Sequence, residues 1–259
     1  MTAPLTFSDR DPNQDDARQW GIPRFAFFET VDSTQTVLRT LAEEGAPAWT
    51  LVVANHQTAG RGQHGRRWHA QPGTSLMFSL LLRPASPEKA ALLPIRVGLG
   101  AARALDRFLS GRMVALKWPN DLMLNGGKVG GVLCEAQTRS GDIAVVVGVG
   151  INVRRFVMQL SDRDDIGVSF LEPWLAPGTA RVDLLRGIIE ELRAFNIDAA
   201  TLGPEEIEAY DRRDWLAGRE LRGPVAGIAR GVDASGHLLV ESRSGATHTV
   251  IAGRVELAD

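Results

Sequence analysis

The stretch Gly60-Arg61-Gly62-Gln63-His64-Gly65-Arg66-Arg67-Trp68 limits the fold of this chain more than any other. Its three glycines let the backbone turn tightly and bring N–H groups close to a ligand without Cβ interference. Its three arginines make a local positive island in a chain whose net charge is only −2. Planar guanidinium forks suit carboxylate and phosphate oxygens, and Trp68 offers an apolar face for a flat ring. The stretch reads as a loop that holds an anion beside such a ring, or as a solvated basic hairpin. Gly60, Gly62 and Gly65 also fit G-x-G-x-x-G, but that fingerprint must open a helix and be followed by an acid about 20 residues on. Here a strand-like run, Ser75–Leu82, follows the loop, and Arg83 and Pro84 stand where the acid belongs. A doubly wound dinucleotide-binding fold is not expected.

With 259 residues the chain can bury one large core and a small second one. Its hydrophobic share of 44% and charged share of 23% are those of a soluble globular protein. The near-zero net charge gives no global pull toward nucleic acid or membrane, so basic function must be local. Cys134 is the single cysteine, which excludes an internal disulfide and a cysteine-built metal site. His56, His64 and His69 lack metal-ligand spacing, so no metal site is expected. Neither a signal peptide nor an apolar run long enough to span a membrane is visible, so a cytoplasmic protein is expected.

Residues 1–24 are polar, aspartate-rich and unpatterned, and read as a flexible N-terminal arm. Ordered sequence then begins with an aromatic strand at Arg24–Phe28. Asp32 and Ser33 offer N-cap oxygens to a helix with Val37, Leu38, Leu41 and Ala42 on one face, closed by Gly45. Thr50–Asn55 is a buried strand leading into the Gly60 loop, and Ser75–Arg83 leaves it. A helix spans Pro94–Leu109. Short strands at 115–118 and 122–124 meet a longer one, Lys128–Gln137, across the Asn125-Gly126-Gly127 turn. Ile143–Val149 is apolar on both faces and reads as a central strand. Helices at Val182–Asn196 and Pro204–Trp215 complete a mixed, mostly antiparallel α+β layer over residues 25–213. From Asp214 to residue 259, short glycine-punctuated strands with no helical period predict a small β-barrel.

Two further stretches carry chemistry. Lys117-Trp118-Pro119-Asn120-Asp121 puts an acid between lysines, and Lys128-Val129-Gly130-Gly131 sets a lysine beside glycines that leave room for a substrate. A lysine there can neutralise charge on a phosphoryl group, although Pro-Asn-Asp and Asn-Gly-Gly are also ordinary turn formers. In Gly148-Val149-Gly150-Ile151-Asn152, glycines within a buried strand mark close approach by a ligand or a β-bulge. Asn152 presents a donor and an acceptor together, as an adenine edge requires.

Asp32-Ser33-Thr34, the Gly60 loop and these stretches occur in an order and spacing that resemble the biotin–protein ligases, over roughly residues 25–259. The resemblance implies a class II aminoacyl-tRNA synthetase-like catalytic fold with a C-terminal SH3-like barrel, of the monofunctional biotin–[acetyl-CoA-carboxylase] ligase type. It implies ATP-dependent activation of biotin as biotinyl-5′-AMP, with Mg²⁺, and transfer to one lysine of a biotin carboxyl carrier protein. Carried over by position, Ser33, Thr34, Gln35 and Gln57 bind the biotin ring and ureido group. Gly60, Arg61, Gly62, Gln63, Lys128 and Gly131 hold the carboxylate and α-phosphate; Trp68 stacks on adenine and Asn152 contacts the nucleotide. Lys128, Arg61 and Asp121 form the catalytic set, Asp121 orienting Lys128 or assisting Mg²⁺. These ligand contacts all fall between Ser33 and Asn152, leaving the barrel for ATP closure or carrier docking. Members that double as repressors carry an N-terminal winged helix, for which the 24 residues before the first strand, acidic in balance, are too few, so DNA binding is not expected. A homodimer paired through the central sheet is compatible with the resemblance. Lipoate or octanoate ligases and transferases of the same fold are the alternative, against which Lys117–Asp121 and the C-terminal piece argue.

Gln63 departs from the family's usual arginine. Glutamine keeps hydrogen-bonding capacity but lacks the charge and the bidentate fork. Gln63→Arg is therefore expected to slow dissociation of preformed biotinyl-5′-AMP several-fold, about 1 kcal/mol, the difference between a charged and a neutral hydrogen bond. Biotin affinity changes less. Equal adenylate off-rates for the two proteins would show that side chain 63 points away from the phosphate.

Overall fold

The computed structural model describes residues 10–139, 141–156 and 166–258. Its frame is a seven-stranded sheet in the order β1-β2-β3-β7-β6-β5-β4. The strands are β1 (Phe25–Val31), β2 (Leu51–Gln57), β3 (Ser75–Leu82), β4 (Ala115–Lys117), β5 (Asp121–Leu124), β6 (Gly127–Arg139) and β7 (Asp142–Asn152). β1 and β2 run parallel and every other neighbouring pair is antiparallel, as expected from the sequence.

The side-chain order along β3 and β7 decides what each face of this sheet can do. Leu76, Phe78, Leu80 and Leu82 alternate with Ser75, Met77, Ser79 and Leu81, and all eight are buried. The first set joins Val145, Val147, Val149 and Ile151 of β7 in the main core, under helices α4 (Leu93–Asp106) and α5 (Arg181–Ala194). Gly100 lets those helices close on each other, since a Cβ there would lie 2.8 Å from Leu192. On the opposite face Leu81, Ala144 and Val146 pack under α2 (Thr34–Glu43) with Leu38 and Ala42. Further along that face the apolar residues give way to Ser79, Gly148, Gly150 and Asn152. One face is core throughout, and the other is core only as far as α2 reaches.

Four expectations need correction. Residues 10–24, read as loose arm, are packed: α1 (Gln14–Gln19) opens with a reciprocal cap between Asn13 and Asp16. Arg10 grips the Asp16 carboxylate at 2.6 and 2.7 Å and, with burial opposing, holds it below its usual range. Ala17, Trp20 and Ile22 enter the main core, and Arg193 of α5 donates to the Trp20 and Gly21 carbonyls. Three buried apolar side chains suffice to anchor a segment whose average composition is polar; residues 1–9 lie outside the described part. Second, neither Asp32 nor Ser33 caps α2 with its side chain. Asp32 Oδ1 accepts from Ser33 N, and the Thr34 N–H donates to Gln57 Oε1 of β2 at 2.8 Å. Third, α6 (Pro204–Asp211) stops short of Trp215. Residues 213–215 instead add to the sheet edge: Leu116 N donates to Arg213 O and Trp215 N to Leu116 O.

The fourth concerns the C-terminal strands β8 (Glu220–Gly223), β9 (Gly227–Val232), β10 (Leu238–Glu241), β11 (Thr247–Val250) and β12 (Glu256–Leu257). They form an antiparallel sheet in the order β11-β10-β9-β8-β12, with no pairing that joins its ends among the described residues. Its Leu221, Ala229, Leu238 and Val240 belong to the same core as α4 and α5, so among the described residues this sheet has no core of its own. Trp118 Nε1 donates to Gly236 O at 3.0 Å and fastens the two sheets. A short helix α3 (Pro87–Ala91) precedes α4. No helix is long and apolar enough to cross a membrane among the described residues.

Asp214, at the junction, accepts from Leu216 N through Oδ1, while its Oδ2 is shielded from solvent without a hydrogen-bond partner. Burial pushes this carboxyl from its ordinary 3.8 up to about 6. The folded chain thus keeps the proton to higher pH than the unfolded chain does. The associated stability is full below 3.8 and is lost as pH rises through about 6. Asp214→Asn is expected to remove most of that loss, on the order of 1–3 kcal/mol. Thermal unfolding at pH 4 and pH 7 checks this: the fall in Tm between them should shrink in the variant.

Candidate active site

Where α2 ends and the sheet face turns polar, a cavity of about 540 Å³ opens. Its floor is backbone. A Cβ at Gly148 would lie 2.6 Å from Gln35 Oε1, and one at Gly150 would lie 2.7 Å from the Trp68 indole. The close approach expected over these glycines is therefore made by the protein's own Gln35 and Trp68. Asn152 closes this floor, buried, with Nδ2 donating to Ser169 O at 3.3 Å.

The wall under α2 is neutral and rich in hydrogen bonds. Thr34 Oγ1 lies 3.1 Å from Gln57 Oε1 and 2.8 Å from Ser79 Oγ, which lies 3.0 Å from Gln35 Oε1. Two hydroxyl protons serve these three contacts. Thr34 Oγ1 donates to Gln57 Oε1, which also receives the Thr34 N–H, and Ser79 Oγ directs its one proton toward Thr34 Oγ1 and Gln35 Oε1. Gln35 Nε2 in turn donates to Leu133 O and Val146 O, which locks the amide in place. Two groups on this wall are left under-used. Gln57 Nε2 has only Met77 Sδ at 3.3 Å, and Ser33 Oγ is shielded without a partner among the described residues. Ser79 is a buried member that sequence reasoning missed, hidden in an otherwise apolar run.

The opposite wall is charged, and a bulge builds it. Asn125 and Gly126 at φ +50° and +81° make the tight turn between β5 and β6. The register then slips, so that Leu122 faces Gly130 but Met123 faces Lys128. Strict alternation would send Val129 to the cavity with Gly131; the extra residue sends Val129 into the core and re-aims Lys128 at the cavity. Lys128 Nζ meets Asp121 Oδ1 at 2.6 Å, and Lys117 Nζ lies 3.8 Å from Oδ2. Two ammonium groups share one carboxylate, leaving a net positive charge in a half-buried position.

The Gly60 loop forms the lid side. It is a narrow hairpin with an Arg61–Arg67 bridge, Gly62 N on Arg66 O and Trp68 N on Gly60 O. A Cβ at Gly60 would meet Trp68 O at 2.6 Å, so this glycine closes the hairpin and does not itself line the main cavity. Gly62, Gln63 and Trp68 do line it, as do Gly131 and Asn152. Arg61 lines it too, but its Nη2 is engaged by Glu135 Oε1 at 2.7 Å. The cavity is completed by Arg222, Arg254, Glu256 and neighbours from the C-terminal sheet. The cavity lining thus extends beyond the Ser33–Asn152 span that held the expected ligand contacts. Their only sequence signal was isolated charge among short strands.

Residues 27–152 match the biotin/lipoate A/B protein ligase family and residues 218–258 match the biotin protein ligase C terminal domain. The bifunctional ligase/repressor BirA of Bacillus subtilis is 32% identical over 228 residues, covering 85% of this chain and 70% of that protein. The biotin–[acetyl-CoA-carboxylase] ligase of Mycobacterium tuberculosis is 32% identical over 239 residues, 86% of this chain and 85% of that one. A biotin protein ligase from Aquifex aeolicus, solved in complex with biotin and ATP, superposes with a TM-score of 0.74 at 28% identity. That match covers 91% of this chain and 99% of the other.

Gly148→Ala drives a methyl group into a Gln35 amide that three hydrogen bonds hold in place. It should destabilise the fold by about 1–3 kcal/mol. Gly167→Ala, with no atom within 4 Å of the added Cβ, should stay within about 0.5 kcal/mol of wild type. Denaturant unfolding of both variants checks the contrast.

Proposed function

The chain belongs to the biotin–protein ligases, and from that premise we propose how its cavity joins biotin to ATP and then to a carrier lysine. The observation that supports this reading most is one cavity with two unlike walls, neutral hydrogen-bonding groups facing the Lys128–Asp121–Lys117 cluster. A ureido ring carries both donors and an acceptor but no charge, which suits Ser33, Thr34, Gln35 and Gln57. A carboxylate and a triphosphate repel each other, and cations must bring them together. In this reading the biotin carboxylate oxygen attacks the α-phosphorus of ATP, pyrophosphate leaves, and biotinyl-5′-AMP remains. The ε-amine of a lysine on a biotin carboxyl carrier protein then attacks the acyl carbon, and AMP leaves.

Lys128 is the main stabiliser of charge on the α-phosphoryl group, with Asp121 orienting it and Arg61 and Gly62 contributing from the loop. Trp68, which rests on Gly150, supplies a face for adenine. Asn152, at the end of the same floor, contacts the nucleotide. Both Asp121 oxygens face ammonium groups, and no cluster of three or more His, Cys, Asp or Glu suits a metal among the described residues. Mg²⁺ therefore fits as part of the nucleotide substrate, held through phosphate oxygens. The C-terminal sheet, read as an SH3-like barrel left open between β11 and β12, brings Arg222 and Arg254 to the nucleotide side. The biotin protein ligase C terminal match favours biotin over lipoate or octanoate.

Pyrophosphate release with ATP and biotin, lipoate or octanoate in parallel tests the assignment; release with biotin alone is expected, and release with lipoate or octanoate alone overturns it. In the same assay Lys128→Ala should lose at least ~2.7 kcal/mol of transition-state stabilisation, about 100-fold in rate. A near wild-type rate would remove Lys128 from this role.

A further inference from the structure

Arg61 does not hang freely at the cavity mouth. It lines both the main cavity and a second one of about 650 Å³ on the outer side of the loop, bounded also by Ser235–His237 and Ile251–Gly253. Arg61 thus borders two voids, and its side chain, if untethered, would have room on either side of the loop. The tether is Glu135, which accepts from Arg61 Nη2 at 2.7 Å. Glu135 lies on β6, on the face of Gly131 and Leu133, two residues beyond the latter. Its Oε2 is shut off from solvent without a hydrogen-bond partner among the described residues. A carboxylate that has lost water at one oxygen and gained a single bond at the other adds little to stability. Its placement is better explained by what it does to Arg61.

We infer that Glu135 is a positioning residue for adenylate formation. It pins one corner of the guanidinium to β6, so that the rest of the donor fork faces the oxygens of the biotin carboxylate and α-phosphate. The inference rests on the role proposed for Arg61. The tether needs an acceptor at the Oε1 position and does not need the charge.

Four variants of the full chain test this by biotin- and ATP-dependent pyrophosphate release, with Tm measured alongside. Glu135→Ala should lower kcat about tenfold or more through misplacement of Arg61, with the biotin KM and Tm little changed. Glu135→Gln places an amide oxygen where Oε1 stood and should restore most of that loss. Glu135→Asp keeps the charge but withdraws the oxygens by one methylene, and should fall with alanine; this readout stands if Glu135→Ala does not fold. Added to Arg61→Ala, Glu135→Ala should change the rate by less than about twofold, because the group it positions is gone. Equal losses from Glu135→Ala in the wild-type and Arg61→Ala backgrounds would overturn the inference. So would a glutamine variant as impaired as alanine, or an alanine variant as active as wild type. A wild-type chain that releases no pyrophosphate would overturn the ligase reading and this inference together; an active wild type beside an indifferent Glu135→Ala overturns only the latter.

Discussion

The charge cluster depends on a single extra residue in one strand. Val129 is the bulged residue where β6 slips against β5; if β6 alternated strictly through the same residues, Lys128 would point into the core among leucines and valines. An ammonium there could not keep its charge at acceptable cost. The bulge is held from both sides. The Asn125-Gly126 turn fixes where β6 starts, and Lys128 exchanges backbone hydrogen bonds with Gly167 and Ser169. Asp121, fixed opposite Gly131, then has one position in which to meet Lys128.

A second division of labour runs along β3 and β7. Their residues alternate so that one face is apolar from end to end, while the other changes from Leu81 and Val146 to Ser79, Gly148 and Gly150 at the edge of α2. The sheet is both core and binding floor, and the length of a ten-residue helix sets the border between them. Gln57, reaching from β2 to cap the first turn of that helix, ties the border to the neutral wall of the site.

Much of this was legible in the sequence because it rests on local rules. The buried run Ser75–Leu82, the Asn125-Gly126 turn and the exclusion of a helix after Gly65 all follow from residues close together in the chain. What was hidden depends on partners far away. A polar stretch such as residues 10–24 gains order from three apolar side chains meeting a distant core. Ser79 gains a role only when α2 lies over it, and Glu135 only when the loop returns to β6. Arg222 and Arg254 reach the cavity because the C-terminal sheet shares the main core, a fact of packing that no short window of sequence contains.

The junction of the two sheets has a mechanical meaning for the site. On β4, Leu116 is hydrogen-bonded through both its N–H and its C=O to residues 213–215, and the Trp118 indole is bonded to Gly236. Lys117 lies between these two fastenings, so its height above Asp121 is set by chain that comes a hundred residues later. The C-terminal sheet thus acts as the clamp on one jaw of the cavity: a load applied to the sheet is borne by the strand that carries one charge of the Lys117–Asp121–Lys128 cluster.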